Sequence, residues 1–243
     1  YNNKYRRVND LLVQAESGLC AVTGSAEAPS RIGISICDMS SGLTAFSAIL
    51  RAVIQRSRTG KGVDLSVSMF DVAADWMNMS LVFQRYLGRA PARMGLEHAM
   101  IVPYGAYATR DGSEVLISIQ NNREFRGFCE HILQRPELAE DPRFVDNPSR
   151  VEHRSELNDV INGGFSGIER DALIAALNDA SIACAQLSTV ADLSEHELLR
   201  NLEVEFAGTT LSIADLPVTS DAPRHTKVPA LGEHSVAIRE EFN

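Results

Sequence analysis

Apolar positions along this chain change their spacing several times, and each change marks a predicted element. Residues 10–19 carry the 3.6-residue stripe of a short amphipathic helix, followed by turn-rich sequence at 23–30. Residues 32–37 alternate like a strand, which the pattern carries as far as Asp38. Small residues follow at Ser40, Ser41 and Gly42. Then Leu43, Phe46, Ile49, Leu50, Val53 and Ile54 take up the spacing of one helix face as far as about Ser57. The run RTGKG at 58–62 reads as a helix stop and tight turn, 63–67 as a short strand, and 69–87 as one long apolar helix. Residues 88–94 read as a linker. A second module opens with alternation at 102–109 and 114–119 around Arg110, Asp111, Gly112 and Ser113, a hairpin signal. Helices are predicted near 123–133, 152–161, 169–180, 188–193 and 197–201, with a strand near 183–187 and another short strand region before 229.

This pattern sets Asp38 at a strand end before a helix, where open α/β sheets place their ligands. Two roles are open to it there. Asp and Ser before an apolar-periodic segment are ordinary helix caps, each contributing about 1 kcal/mol. The same position favours an ionised carboxylate and supplies amide donors to an oxyanion, which suits a nucleophile.

Composition narrows the field. The chain has 243 residues, 44% of them hydrophobic, and a net charge of −9, which argues against a nucleic-acid surface built on clustered Lys and Arg. No signal-peptide pattern opens it and no run looks long enough for a bilayer, so neither a membrane nor nucleic acid is an expected partner. Cys20, Cys37, Cys129 and Cys184 are far apart, the pattern of reduced cytosolic thiols. The six histidines lack metal-ligand spacing, so no metal is expected. Tyr1 runs straight into patterned sequence, which reads as the later part of a longer chain.

Six segments, in order, carry a resemblance: NDLLVQAESG (9–18), GISICDMSSG (33–42), RTGKG (58–62), PYGAYATRDG (103–112), NNREF (121–125) and PALGEH (229–234). Together they resemble the family III CoA-transferases, whose members also include α-methylacyl-CoA racemases. The resemblance implies an α/β fold. Residues 1–90 and 190–243 would belong to a Rossmann-like large domain whose N-terminal part is missing, with 91–189 as a smaller α+β domain. It implies coenzyme A as acyl-CoA substrate, no redox cofactor, a carboxylic-acid partner, an interlocked homodimer and a cytoplasmic location. Asp38 matches the family's nucleophilic aspartate. The N–H groups of Ser40, Ser41 and Gly42 become oxyanion candidates around it.

The racemase branch has a His where this chain has Asn9, and a Glu in the segment where it has Asn121, with Glu124 the nearest carboxylate. Asn cannot act as a general base, so transfer is expected rather than racemisation. The family's glycine-rich active-site loop corresponds to 94–100, which holds one glycine, Gly95, with Glu97 and His98 as candidate specificity groups. The wording around 1–18 and 35–42 is most similar to members acting on C4–C5 dicarboxylates. Arg6 and Arg7 are candidates for the distal carboxylate, and Asn121 for the acyl pocket. Cys37 is expected to be buried, and Trp76, Met77 and Met79 to pack in the core or a dimer interface. A non-catalytic acyl-CoA-binding scaffold of the same fold is the alternative from another class.

Overall fold

The computed structural model describes residues 9–218 and 226–242. Its contacts divide into two units, one up to residue 186 and one from 187 onward. Arg6 and Arg7 lie outside the described residues.

The better-buried part of the first unit grows from the predicted hairpin. Strands β1 (Tyr104–Ala108) and β2 (Glu114–Ser118) pair antiparallel, with Gly105 opposite Ile117 and Tyr107 opposite Val115. Gly112, at φ +76°, supplies the left-handed residue of the turn. Strand β3 (Ala183–Gln186) pairs on the other side of β2. Tyr107, Val115 and Ile117 face one way and meet a helical layer. That layer holds α6 (Asn122–Gly127) with a π-helical extension over Phe128–Ile132, α7 (Asn147–Glu152), α8 (Arg154–Phe165) and α9 (Arg170–Asp179). On α8, Leu157, Ile161 and Phe165 recur every fourth residue, so one stripe is buried completely. Phe125, Phe128, Leu173 and Leu177 close the same core, each contributing roughly 1.5–3 kcal/mol.

The N-terminal helices share a smaller core of Val13, Cys37 and Ala73. Helix α1 (Asp10–Glu16) is followed by α2 (Leu19–Val22), α3 (Ile36–Thr59), α4 (Met69–Trp76) and α5 (Asn78–Leu87). The structure corrects several expectations here. Residues 32–35 form no strand, and α3 begins at Ile36, ahead of Asp38. What holds the extended segment is a side chain. The buried Gln14 amide accepts from the Ile32 N–H at 2.8 Å and donates to the Ile32 carbonyl at 3.4 Å, the pair of bonds a neighbouring strand would make. Residues 63–67 run without strand pairing, with Val63, Leu65 and Val67 exposed. The predicted helix at 69–87 breaks at Met77 into α4 and α5.

Helix α3 is long and apolar enough to cross a membrane by length and composition alone. Its apolar side chains nevertheless fall on one stripe, with Thr44, Ser47, Arg51 and Gln55 opposite, so it is an amphipathic helix. Leu43, Phe46, Leu50, Val53 and Ile54 on that stripe are half-exposed. Trp76 and Met79 are also exposed, which excludes core packing for both in this chain.

In the second unit, α10 (Val190–Ser194) starts with a capping box between Thr189 and Asp192. Residues 197–200 are not helical as expected. They lead into β4 (Asn201–Phe206), which pairs antiparallel with β5 (Thr209–Ala214) across Ala207 and Gly208, both at positive φ. Helix α11 (Ser235–Phe242) follows the 229–234 segment. Helix and strand are thus mixed, 48% and 13% of residues, and both sheets among the described residues are antiparallel.

Candidate functional site

The N-terminus of α3 brings three groups together: Asp10, Cys37 and Asp38. Asp10 is buried, and its two carboxylate oxygens take the Cys37 N–H at 2.7 Å and the Gln14 side-chain amide at 2.5 Å. A carboxylate from α1 therefore caps α3, while the local N-cap, Ser35, makes no side-chain capping bond. The Ile36 N–H donates to the Ile34 carbonyl. Cys37 is buried as expected, and burial followed by the charges of Asp10 and Asp38 pushes its thiol pKa up.

Asp38 itself sits in the first turn, exposed. Among the described residues its carboxylate has no hydrogen-bond or ion-pair partner. The capping role has gone to Asp10, and Asp38 is left facing solvent on the first turn of the helix. Ser40, Ser41 and Gly42 lie deeper in the helix than the sequence pattern placed them. Amides at those positions donate along the helix to the carbonyls four residues back, so they are not free donors for an oxyanion.

Residues 94–100 form a strap rather than a free loop. Gly95, at φ +61°, donates its N–H to the Gly24 carbonyl at 2.9 Å. Next to it the Arg93 guanidinium donates to the carbonyls of Ala21, Ser25 and Ala26 at 3.3, 2.9 and 3.1 Å. Gly24 has no room for a side chain, because a Cβ there would run into the Ala28 carbonyl oxygen. Glu97 turns toward α8, accepting from Arg154 at 3.1 Å and Asn158 at 3.2 Å. Arg154 also donates to the carbonyls of His98 and Ala99. The His98 ring stacks on Tyr104, with centroids 5.2 Å apart, and its Nδ1 accepts the Met100 N–H. Beneath this cluster the Tyr107 hydroxyl donates to Asn158 at 2.8 Å, and burial, then the nearby Glu97 charge, raises its pKa.

Asn121 caps α6. It accepts from the Glu124 N–H at 3.0 Å and donates to the Glu124 carboxylate at 2.6 Å, and Glu124 in turn accepts from the Gln120 N–H. No hydrogen bond or ion pair joins Asp38 to Glu97, His98 or Asn121. Sequence reasoning passed over Arg150, which is 1% exposed. Its guanidinium donates to Val102 O, Phe144 O and Asn122 Oδ1 at 2.8, 2.9 and 3.1 Å and stacks over the Phe125 ring. Nothing in its spacing distinguishes it from an ordinary solvated helical arginine.

The sequence profile of CoA-transferase family III matches residues 2–235. The chain belongs to that family. Within it, the chain is similar to the acetyl-CoA:oxalate CoA-transferase of Acetobacter aceti, 29% identical over 96% of this chain and 61% of that protein. It is 32% identical to the mouse succinyl-CoA:glutarate CoA-transferase over 98% of this chain and 56% of the mouse protein. A solved CaiB/BaiF family protein from Brucella suis superposes with a TM-score of 0.81 at 30% identity, covering all of this chain and 65% of its own. The chain thus spans somewhat over half the length of these family III relatives, and its α/β fold is theirs. An apolar groove of about 420 Å³ lies between the α1–α2 turn and α4–α5, lined by Gly18, Val22, Phe70, Met77, Leu81 and Arg85 among others. Asp38 is not on its wall.

Proposed function

We propose that this protein transfers coenzyme A reversibly between short dicarboxylic acids, with Asp38 as the nucleophile. One observation carries the reading: Asp38 is an exposed carboxylate on the first turn of α3, without a partner among the described residues, and the cap that would otherwise explain it is supplied by Asp10. The dicarboxylates are supported by relatives named for glutarate and oxalate.

In the first half-reaction an Asp38 oxygen attacks the thioester carbonyl carbon of the acyl-CoA. The carbon–sulfur bond breaks, leaving an acyl-aspartyl anhydride and CoA thiolate. The thiolate then attacks the aspartyl carbonyl, which releases the donor acid as carboxylate and leaves an enzyme–CoA thioester. The acceptor carboxylate runs the same steps in reverse, and no proton needs to move. The positive end of the α3 dipole lies beside the charge that develops at each stage. The buried Asp10–Gln14 pair keeps that end in place from α1 and from residue 32. The working form on this reading is a homodimer, to be checked by sedimentation.

The test is trapping. The protein is incubated with succinyl-CoA and then hydroxylamine, and its tryptic digest is weighed. The peptide 32–51 contains a single side-chain carboxylate, that of Asp38. A hydroxamate on it is the expected result. Binding of acyl-CoA without that mark would replace the enzyme by an acyl-CoA-binding scaffold.

A further inference from the structure

One buried side-chain oxygen among the described residues has no hydrogen-bond partner: the hydroxyl of Ser41. Its neighbours on α3 are satisfied in the usual helical way. Ser40 donates its hydroxyl to the Cys37 carbonyl at 3.2 Å, and Thr44 donates to the Ser40 carbonyl at 2.9 Å. Ser41 makes no such back-bond, so its hydroxyl is not committed to its own helix ladder. Position is the second part of the case. At about 100° per residue, Ser41 lies about 60° around the helix from Asp38 and one turn further along, between Asp38 and the buried Cys37. Side chains three apart are helix-surface neighbours. The orphan hydroxyl therefore stands at the margin of the buried face, on the side next to the exposed carboxylate.

We propose that Ser41 is a catalytic hydrogen-bond donor to the acylated Asp38, a proposal that rests on Asp38 being the nucleophile. Before reaction its O–H has no acceptor among the described residues. When thiolate attacks the aspartyl carbonyl, the carbonyl oxygen becomes an oxyanion, and Ser41 donates to it through the tetrahedral intermediate. The serine keeps its proton throughout. The electron pair on that oxygen returns to re-form the carbonyl as the donor carboxylate leaves. A side-chain donor at this point takes the place of the helical amides of residues 40–42, which are committed to the ladder.

The signature is a loss of rate without a loss of stability. Ser41→Ala removes a buried polar atom that makes no bond, so the melting temperature holds or rises, while kcat falls roughly ten- to a hundredfold and both KM values stay within about twofold. Ser41→Thr, which keeps the hydroxyl, recovers a rate well above that of the alanine variant. Hydroxylamine trapping on Asp38 runs alongside. Wild type that labels Asp38 while Ser41→Ala keeps its full kcat overturns the proposal for Ser41 alone. Equal losses in the alanine and threonine variants with a lowered melting temperature overturn it in favour of a packing role. Wild type that transfers CoA without labelling Asp38 overturns the nucleophile, and Ser41 with it.

Discussion

The carboxylate of Asp10 accepts the backbone N–H of Cys37 at 2.7 Å, across 27 residues of sequence. One bond thus fixes where helix α3 begins and which carboxylate beside it stays free. Asp10→Ala leaves the Cys37 amide without its acceptor and the Gln14 side-chain amide with only the longer bond to the Ile32 carbonyl, both in a buried place. The expected loss is about 1–3 kcal/mol for the orphaned groups. At about 2–4 °C per kcal/mol for a chain of this size, thermal melting detects it readily. The CoA-transfer rate should fall as well, because the first turn loses its outside cap. A variant with wild-type melting and rate would show that α3 starts correctly without Asp10.

Asp38 should behave in the opposite way. Its side chain is exposed and, among the described residues, makes no hydrogen bond or ion pair that holds the fold. Asp38→Ala is expected to melt within a few degrees of wild type, while kcat drops at least about a thousandfold. Calorimetry and a CoA-transfer assay on the same preparation decide it.

Arg150 is the strongest expected stability determinant outside the apolar core. Removing its guanidinium leaves the carbonyls of Val102 and Phe144 without their donor and opens a void over Phe125. Arg150→Ala is expected to be clearly destabilising, at about 1–3 kcal/mol for each buried carbonyl left without its donor. Arg150→Lys should recover only part of this, since an ammonium cannot fork to three acceptors in a plane. Urea midpoints of the two variants give the comparison.

The strap at 94–100 is held mainly by Arg154. Arg154→Ala removes the donor to the carbonyls of His98 and Ala99 and leaves Glu97 held by Asn158 alone, so amide hydrogen exchange at 97–100 should quicken about tenfold or more. The β1–β2–β3 sheet should exchange as before. Protection unchanged at 97–100 would mean that the remaining contacts suffice: the Asn158–Glu97 bond, the His98 N–H to the Tyr104 carbonyl, the Asn147 amide to the Met100 carbonyl and the His98–Tyr104 stack.

Acid stability has a local reporter in Asp141. Hydrogen bonds from the Arg143 side chain and then its backbone N–H hold the Asp141 carboxyl down to about 2, below its ordinary 3.8. A depressed carboxyl stabilises the fold above its unfolded pKa and loses that contribution as pH falls through the folded one. The window is therefore about pH 4 down to pH 2. Across it, Asp141→Asn should lose less of its urea stability than wild type, and identical profiles would refute the link.

These residues also show what the sequence could and could not reveal. The β1–β2 hairpin was legible because Gly112 and strict alternation leave few other foldings. The α8 and α9 stripes were legible because their period of 3.6 is filled on one side only. Residues 32–37 misled, because alternation reports an extended backbone and not what the backbone is bonded to. Here Gln14 supplies the bonds, and no local pattern at 32–37 encodes a partner 18 positions earlier. The break at Met77 was invisible for a similar reason, since apolar residues continue through it. Asp38 stood out at once as a candidate, whereas Asp10, which frees it from capping, reads as an unremarkable first-turn acid of α1. Likewise Arg150 and Arg154 are ordinary helical arginines until the fold buries one and aims the other at the strap.

Gln14 has a consequence for which substitutions this protein can accept. Donor and acceptor must be offered together to the C=O and N–H of one residue, Ile32, and a primary amide does this at every ordinary pH. Glutamate matches its length but, once ionised, only accepts; methionine or leucine fills the same space and offers neither bond. A saturation library scored for CoA transfer should therefore find position 14 narrowed by chemistry rather than by volume. The flanking Leu11 and Leu12, half-exposed on the same helix, should exchange freely among apolar residues.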